Sequence, residues 1–313
     1  MYKTLIRPFL FKLNPESAHQ LTMKMLKIAG SIPFCRSIVR LIFKHEHKNL
    51  SREVFGIRFP NPVGLAGGLD KNGECYNELS DFGFGFVEIG SLTAKPQPGN
   101  PKPRLFRVVK DNAIINRMGI NNNGVSEAIK NINSKHPEVI IAGNIAPNSS
   151  SQGEQVAEDY KTAFSLLYDF VDMFVINISC PNVEGLTSLQ EVSSLSDIMD
   201  SMLNMRTGFD TYKPILLRLA PELAHTQMDE IIEYAMISGS DGIVAGNTTR
   251  KRDGLTIPQE KIDEIGKGGM SGAPLYKKNL EMVRYIHEKT GGKLPIIGVG
   301  GIMTPQQALE MLD

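Results

Sequence analysis

Tryptophan is absent from the 313 residues, cysteine occurs three times, and the net charge is zero. No apolar run approaches the roughly 20 consecutive residues that a membrane-spanning helix needs. Each shortage closes a class of explanation. Three widely spaced cysteines (Cys35, Cys75, Cys180) are too few and too odd in number for a disulfide framework. No Cys-x-x-Cys or His-x-Glu spacing offers a zinc site, so no metal is expected, and a reducing cytoplasm is the expected compartment. A cleaved signal peptide is not expected either, because no uninterrupted apolar stretch leads to a small-residue cleavage site. What remains, 41% hydrophobic and 22% charged, is the composition of an ordinary soluble domain.

The zero net charge hides an asymmetry. Nine Lys and Arg in residues 1–50 face only Glu16 and Glu46, leaving +7 there and −7 on residues 51–313. Nucleic-acid binding by the acidic body is therefore not expected. Asn14-Pro15-Glu16 reads as a helix start, with a capping amide, a proline suited to the first turn and an acid at the positive helix end. Ala18, Leu21, Met25 and Ile28 follow at helical spacing, and after Pro33 the set Phe34, Ile38, Leu41 and Ile42 repeats the pattern. On pattern alone these two amphipathic helices read as a hairpin packed on its own domain. Their interleaved basic residues also suit a membrane interface.

Residues 51–313 read as α/β. Apolar, β-branched runs (63–69, 86–91, 139–145, 174–179, 215–220, 242–247 and 296–301) alternate with amphipathic stretches such as 159–168, 195–205, 228–237 and 280–289. Continuous apolar strands joined by crossover helices mean a parallel sheet buried on both faces. Seven are counted, one short of a closed (β/α)8 TIM barrel. The runs end in small or amide residues, among them Gly67-Gly68, Ser91, Asn144, Asn177, Arg218 and Asn247-Thr248. Active sites of barrels lie at those carboxyl ends. An amide both donates and accepts without charge, so a ring of amides suits a flat, carbonyl-rich ligand. Gly298-Val299-Gly300-Gly301 fails the dinucleotide fingerprint because Met303 stands where its third glycine belongs, but it fits a phosphate-facing strand-to-helix turn. Gly266–Gly272 reads as a second cradle or as a flexible loop.

Together these stretches resemble the flavin-dependent dihydroorotate dehydrogenases. The resemblance is carried by Asn61-Pro-Val-Gly-Leu-Ala-Gly-Gly-Leu-Asp-Lys71, residues 83–91 and 96–107, Ile115-Asn-Arg-Met-Gly-Ile-Asn-Asn122, Ile176-Asn-Ile-Ser-Cys-Pro-Asn182 and residues 295–302. The opening Met1–Gly30, with Asn14-Pro-Glu-Ser-Ala-His19, resembles the extension of the membrane-associated, quinone-linked branch, and favours a lipid-facing quinone entry over a packed hairpin for residues 1–50. The resemblance implies FMN as cofactor, dihydroorotate and orotate as substrate and product, and ubiquinone or menaquinone as acceptor at the cytoplasmic face of a membrane. It implies that Lys71 pairs with the substrate carboxylate. Asn116, Arg117, Met118, Gly119, Ile120, Asn177, Asn182, Asn247 and Thr248 would surround the substrate. Gly67, Gly68, Ser91, Asn144, Asn177, Arg218, Gly246, Gly272, Gly300 and Gly301 would border FMN.

Cys180 stands where the family places its base; the quinone-linked branch usually has serine there and the soluble class 1 branch cysteine. A thiol, with an ordinary pKa near 8.5, is easier to activate than an alcohol. Arg218 replaces a lysine, Gly246 a threonine and Ala146-Pro147 a Gly-Lys of the family pattern. The last residues fall inside the helix after the seventh strand, so the eighth repeat is expected to be missing from this chain. Two alternatives stay open at this point: a related FMN dihydropyrimidine oxidoreductase with another acceptor, motivated by Cys180, and a non-catalytic barrel, motivated by Arg218 and Gly246.

Overall fold

The computed structural model of the chain describes residues 2–45, 47–135, 137–178 and 192–313. Cys180 and Asn182 lie outside the described residues.

After a single π-type turn (Tyr2–Ile6), three helices open the chain: α1 (Arg7–Lys12), α2 (Pro15–Gly30) and α3 (Pro33–Phe43). The start of α2 follows from its residues: the Asn14 side chain accepts the Glu16 backbone N–H at 3.0 Å, with Pro15 in the first turn. A short hairpin, β1 (Arg52–Val54) and β2 (Ile57–Phe59), leads into the body. Strands β3 (Gly64–Leu65) and β4 (Phe86–Leu92) begin the main sheet. Strands β5 (Leu105–Val108) and β6 (Ala113–Asn116) leave it as an antiparallel pair. The sheet resumes with β7 (Ile140–Ile145), β8 (Met173–Asn177), β9 (Ile215–Leu219) and β10 (Gly242–Ala245). Strand β11 (Gly269–Gly272) pairs with β6, and β12 (Ile296–Gly298) returns to the main sheet. The helices between are α4 (Tyr76–Ser80), α5 (Val125–Asn133), α6 (Glu154–Leu167), α7 (Val192–Arg206), α8 (His225–Ser238), α9 (Gln259–Ile265) and α10 (Tyr276–Thr290), with α11 (Pro305–Leu312) last.

The seven main strands lie in the order β3-β4-β7-β8-β9-β10-β12, every pair parallel. The curled sheet is that of a TIM barrel with β3 and β12 as its two edges. Alternation along each strand divides the core. Outward residues such as Ile89, Phe174, Ile176 and Leu217 pack against Phe164, Met199, Ile231 and Ile286 of the surrounding helices. Inward residues Phe86, Ala142, Met173, Val175, Leu216 and Val244 form a second cluster. The β1–β2 hairpin plugs its amino end, with Phe59 edge-on to Phe86 at 5.5 Å. Each fully buried aliphatic or aromatic side chain is worth about 1.5–3 kcal/mol.

Two residues further along each strand, the inward position turns polar. Phe86 gives way to Glu88, Ala142 to Asn144, Val175 to Asn177 and Leu216 to Arg218, all buried. The period of two that builds the core below thus builds the site above. The three-stranded antiparallel sheet β11-β6-β5, which sequence periodicity did not anticipate, stands beside these carboxyl ends. The stretch 266–272, read as cradle or loop, supplies its β11. Helix α1 and the π-type turn before it were likewise not anticipated.

The N-terminal helices dock by charge. Glu16 and Arg104, 6% and 7% exposed, form a buried pair, Nη2 to Oε1 at 2.8 Å and Nε to Oε2 at 3.2 Å. On α3, Arg36 grips both oxygens of Asp81 (2.7 and 3.0 Å) and reaches Glu138 at 2.8 Å, and Arg40 adds bonds to the same two acids. Two of the nine basic residues that made the extension look lipid-seeking therefore face the barrel instead.

Candidate active site

A cavity of about 480 Å³ opens at the carboxyl ends of the strands. Leu105, Arg107, Ile114 and Ser271 of the antiparallel sheet wall it on one side, and Pro15 and His19 of α2 on another. Into it converge Lys71, Asn116, Asn177, Asn247 and Thr248, residues from four separate parts of the chain. Of the other sequence-derived positions, Gly67, Gly68, Ser91, Met118, Gly119, Ile120, Arg218 and Gly300 also line it.

The amides are linked. The Asn177 side-chain N–H donates to Ser91 Oγ at 2.8 Å and its carbonyl accepts from Asn247 Nδ2 at 3.3 Å. The Asn247 carbonyl in turn accepts the Thr248 backbone N–H at 2.9 Å. Asn116 is held from the other side, donating to Gly269 O at 3.3 Å. Such a chain fixes which face of each amide is presented to a ligand. The Met118–Ile120 turn carries positive φ at Gly119 (71°) and at Ile120 (52°), a conformation that a β-branched residue rarely adopts. Gln97 stabilises it, donating from Nε2 to the carbonyls of Gly119 (3.1 Å) and Ile120 (3.0 Å).

Lys71 is one of three cations that line the cavity, with Arg107 and Arg218. Its Nζ donates to Gly68 O at 2.5 Å, and burial, aided by the nearby Arg104 charge, pushes its pKa down to about 8. A lysine so destabilised gains from an arriving anion. His19 is also pushed down, first by burial and then by Lys71. Asp70 beside it is buried and spends its carboxylate on the backbone N–H groups of Glu74 (2.8 Å) and Cys75 (2.7 Å), which fixes the Lys71 turn.

Below the cavity, Arg218 Nη1 pairs with Glu88 Oε1 at 2.9 Å and its Nε donates to Gly246 O at 3.2 Å. Asn144 donates to the same Glu88 oxygen, and its own Oδ1 is buried without a hydrogen-bond partner among the described residues. Gly67 lies against this group: a Cβ there would come 2.5 Å from Glu88 Oε1.

Several sequence-derived positions fall elsewhere. The Arg117 guanidinium, one residue past the end of β6, stacks over Phe106 at 4.6 Å and donates to the carbonyls of Ile265 and Lys267, away from the cavity. Asn144 and Gly246 lie behind the wall rather than on it. Gly272 is packed against Asn112 O, 2.3 Å from where its Cβ would be, and Gly301 against Tyr276 N, 2.4 Å. Sequence reasoning missed Glu88, Gln97, His19 and Arg104. Glu88 alone left a signal, as the one acid inside an otherwise apolar strand run.

The sequence model of one family, described as dihydroorotate dehydrogenase, matches residues 49–313. The chain is 45% identical over 313 residues to a dihydroorotate dehydrogenase (quinone) of Christiangramia forsetii, spanning 100% of this chain and 91% of that protein. It is 40% identical over 303 residues to the protein of the same description from Corynebacterium diphtheriae, spanning 97% and 82%. Crystal structures of DHODH from Eimeria tenella superpose with TM-scores of 0.84 (in complex with ferulenol) and 0.85 (ligand-free). Both are at 30% identity, covering 95% of this chain and 82% and 86% of theirs.

Proposed function

The chain belongs to the dihydroorotate dehydrogenase family, and from that premise we propose how its residues divide the work. Its activity is that of a quinone-linked dihydroorotate dehydrogenase, oxidising dihydroorotate to orotate in pyrimidine biosynthesis. The observation that carries the residue assignment is the meeting of Lys71 with the Ser91–Asn177–Asn247–Thr248 chain and Asn116 in one cavity. Lys71 neutralises the substrate carboxylate. The amides, acting as neutral donors and acceptors, read the ring carbonyls and N–H groups.

The family generally uses FMN, and the residues beneath the cavity fit it. Gly67 and Gly68 leave a stretch of the cavity wall without side chains, against which a flat ring system can lie. Arg218, anchored by Glu88, brings positive charge to the same place. The backbone at Gly300 and Gly301, both at positive φ, suits the phosphate end. Bound FMN supplies an acceptor for the hydride lost by the substrate. The chain itself holds the substrate ring against that acceptor, excludes water beneath the antiparallel sheet, and removes a proton. Cys180 is assigned as the base that takes the proton from C5, on the resemblance of Asn177-Ile-Ser-Cys-Pro-Asn182 and because a thiol ordinarily ionises far more readily than an alcohol. Asn182 is assigned to the substrate on the same ground.

Quinone, as ubiquinone or menaquinone, enters along the N-terminal helices. The cavity opens beside Pro15 and His19, and the outer faces of α1–α3 expose Phe9, Phe34, Ile38 and Leu41. No described helix is long and apolar enough to cross a membrane. On the resemblance to the quinone-linked branch, the helices are assigned as a peripheral anchor on the cytoplasmic face of a membrane, with residues 1–50 acting as one access unit on the 51–313 barrel.

Anaerobic mixing of the flavin-loaded chain with dihydroorotate tests this directly. Bleaching of the flavin, reversed by added quinone, is the expected result, and a fully loaded chain that stays yellow would refute the activity. Cys180→Ala should lose flavin reduction and keep flavin binding; unchanged reduction kinetics would remove Cys180 from the base role.

A further inference from the structure

A second cavity, of about 590 Å³, lies against the first, between α2 and the loops that follow β3 and β4. The two share His19, Leu69, Lys71 and Met118, so a partition four residues wide separates them. The walls differ in kind. The catalytic cavity meets the apolar helices through Pro15, Leu105 and Ile114. The second cavity is lined by Lys24 and Lys27 of α2, by Arg104, and by the amides Gln97, Asn121 and Asn123.

Its three acids are already engaged. Glu16 is paired with Arg104, the Asp70 carboxylate accepts two backbone N–H groups, and Glu74 accepts from Asn72 at 3.2 Å. Its outer lysines are open: Lys24 is exposed with no partner among the described residues, and Lys27 is 52% exposed, 3.9 Å from Glu74. The lining carries four cations (Lys24, Lys27, Lys71 and Arg104) against three acids, a positive balance of one with its exposed charge at Lys24 and Lys27, and it leads inward to a desolvated lysine.

We propose that this second cavity is the aqueous entry for the pyrimidine carboxylate, a vestibule that gathers the anion at Lys24 and Lys27 and hands it to Lys71 across the His19–Leu69–Met118 partition. The proposal rests on the dehydrogenase reading and adds to it a second route. The two substrates differ in polarity. A carboxylate entering past Pro15, Leu105 and Ile114 would lose its water along a mostly apolar wall whose Arg107 is already held by the Leu10 and Leu13 carbonyls, at a cost that a lined, hydrated path avoids. Positive charge focused in a cleft also raises the local concentration and on-rate of an anion. Amides along the wall supply the hydrogen bonds that replace water during passage.

Steady-state kinetics in neutral detergent with a short-chain, soluble quinone test the vestibule, since no anionic lipid headgroup then competes for the lysines. Lys24→Glu/Lys27→Glu should raise KM for dihydroorotate by about tenfold at low ionic strength. Raising the salt to about 0.5 M should shrink that ratio, and kcat and the KM for quinone should stay within about twofold. The milder Lys24→Gln/Lys27→Gln should move KM in the same direction by about threefold, which keeps the test open if the charge reversal impairs folding. The control pair Lys213→Glu/Lys293→Glu, at the amino ends of β9 and β12, makes the same change in net charge. An unchanged KM for dihydroorotate in the α2 variants, or an equal rise in the control pair, would overturn the vestibule while leaving the activity intact. Absence of turnover in the unmodified chain would refute the underlying dehydrogenase reading instead.

Discussion

In the barrel, Phe174 and Ile176 are fully buried between strand and helix, whereas on α3 Phe34 is 74% and Leu41 83% exposed. The charges show the converse. The barrel's exposed surface is where its acids accumulate, while α3 turns Arg36 and Arg40 inward onto Asp81 and Glu138. The same residue types are thus arranged in opposite senses within one chain. A helix in water buries its apolar stripe. One whose apolar stripe points outward and whose cations are held underneath fits the lipid-surface role proposed for it above. The cavity lies where the two arrangements meet, with amides and Lys71 from the barrel and Pro15 and His19 from the helices. One anionic and one apolar substrate can then be served from two sides.

Substitutions can break this contrast. The largest effect is expected in the barrel core: Phe174→Ala should lower the free energy of unfolding by about 4 kcal/mol, read by urea denaturation. Next comes the joint between the regions. Glu16→Ala leaves Arg104 buried without its carboxylate and should cost about 3 kcal/mol, with faster proteolysis of the first thirty residues. Because Arg104 holds the Glu16 carboxyl below its ordinary value of 4.5, that contribution is present at neutral pH. It is lost as pH falls through the lowered value, so acid should release α2 in the wild type and have less effect in Glu16→Ala.

A third effect belongs to the cavity. Lys71 titrates near 8, so the charge that receives the carboxylate is present below that pH and lost above it. Orotate affinity, followed through the flavin spectrum, should fall about tenfold per pH unit above 8, or about 1.4 kcal/mol. Lys71→Met should bind weakly without that dependence. The smallest effect on stability is expected on the helices' outer face: Leu41→Ser should change unfolding by no more than about 0.5 kcal/mol in detergent while reducing sedimentation with lipid vesicles. A loss comparable to Phe174→Ala would mean that Leu41 is core after all.

The parallel sheet was legible because each strand is a run of apolar residues with polar punctuation. The site was partly legible because the amides fall at the ends of those runs. The β5–β6–β11 sheet was not. Leu105–Val108 and Ala113–Asn116 are only four residues long each, too short for a period of two to stand out, and Gly269–Gly272 reads as a loop. It becomes a strand because Gly268 allows β6 to approach, with only 2.7 Å between its Cβ position and Asn116 O. The Glu88–Arg218 pair joins residues 130 apart, a distance over which no local pattern reports. For α3 the spacing showed two faces but not which one the barrel would take. That choice was made by Asp81 and Glu138, far along the chain.

Rapid-mixing measurement of the two half-reactions in Phe34→Ser/Leu41→Ser tests the account most directly. Reduction of the bound flavin by dihydroorotate should match the unmodified chain, and reoxidation by quinone carried in lipid vesicles should slow by about tenfold or more, as two apolar contacts worth some 1.5–3 kcal/mol each are removed. Equal slowing of both half-reactions, or of neither, would contradict the division of the cavity between a water-facing barrel and a lipid-facing set of helices.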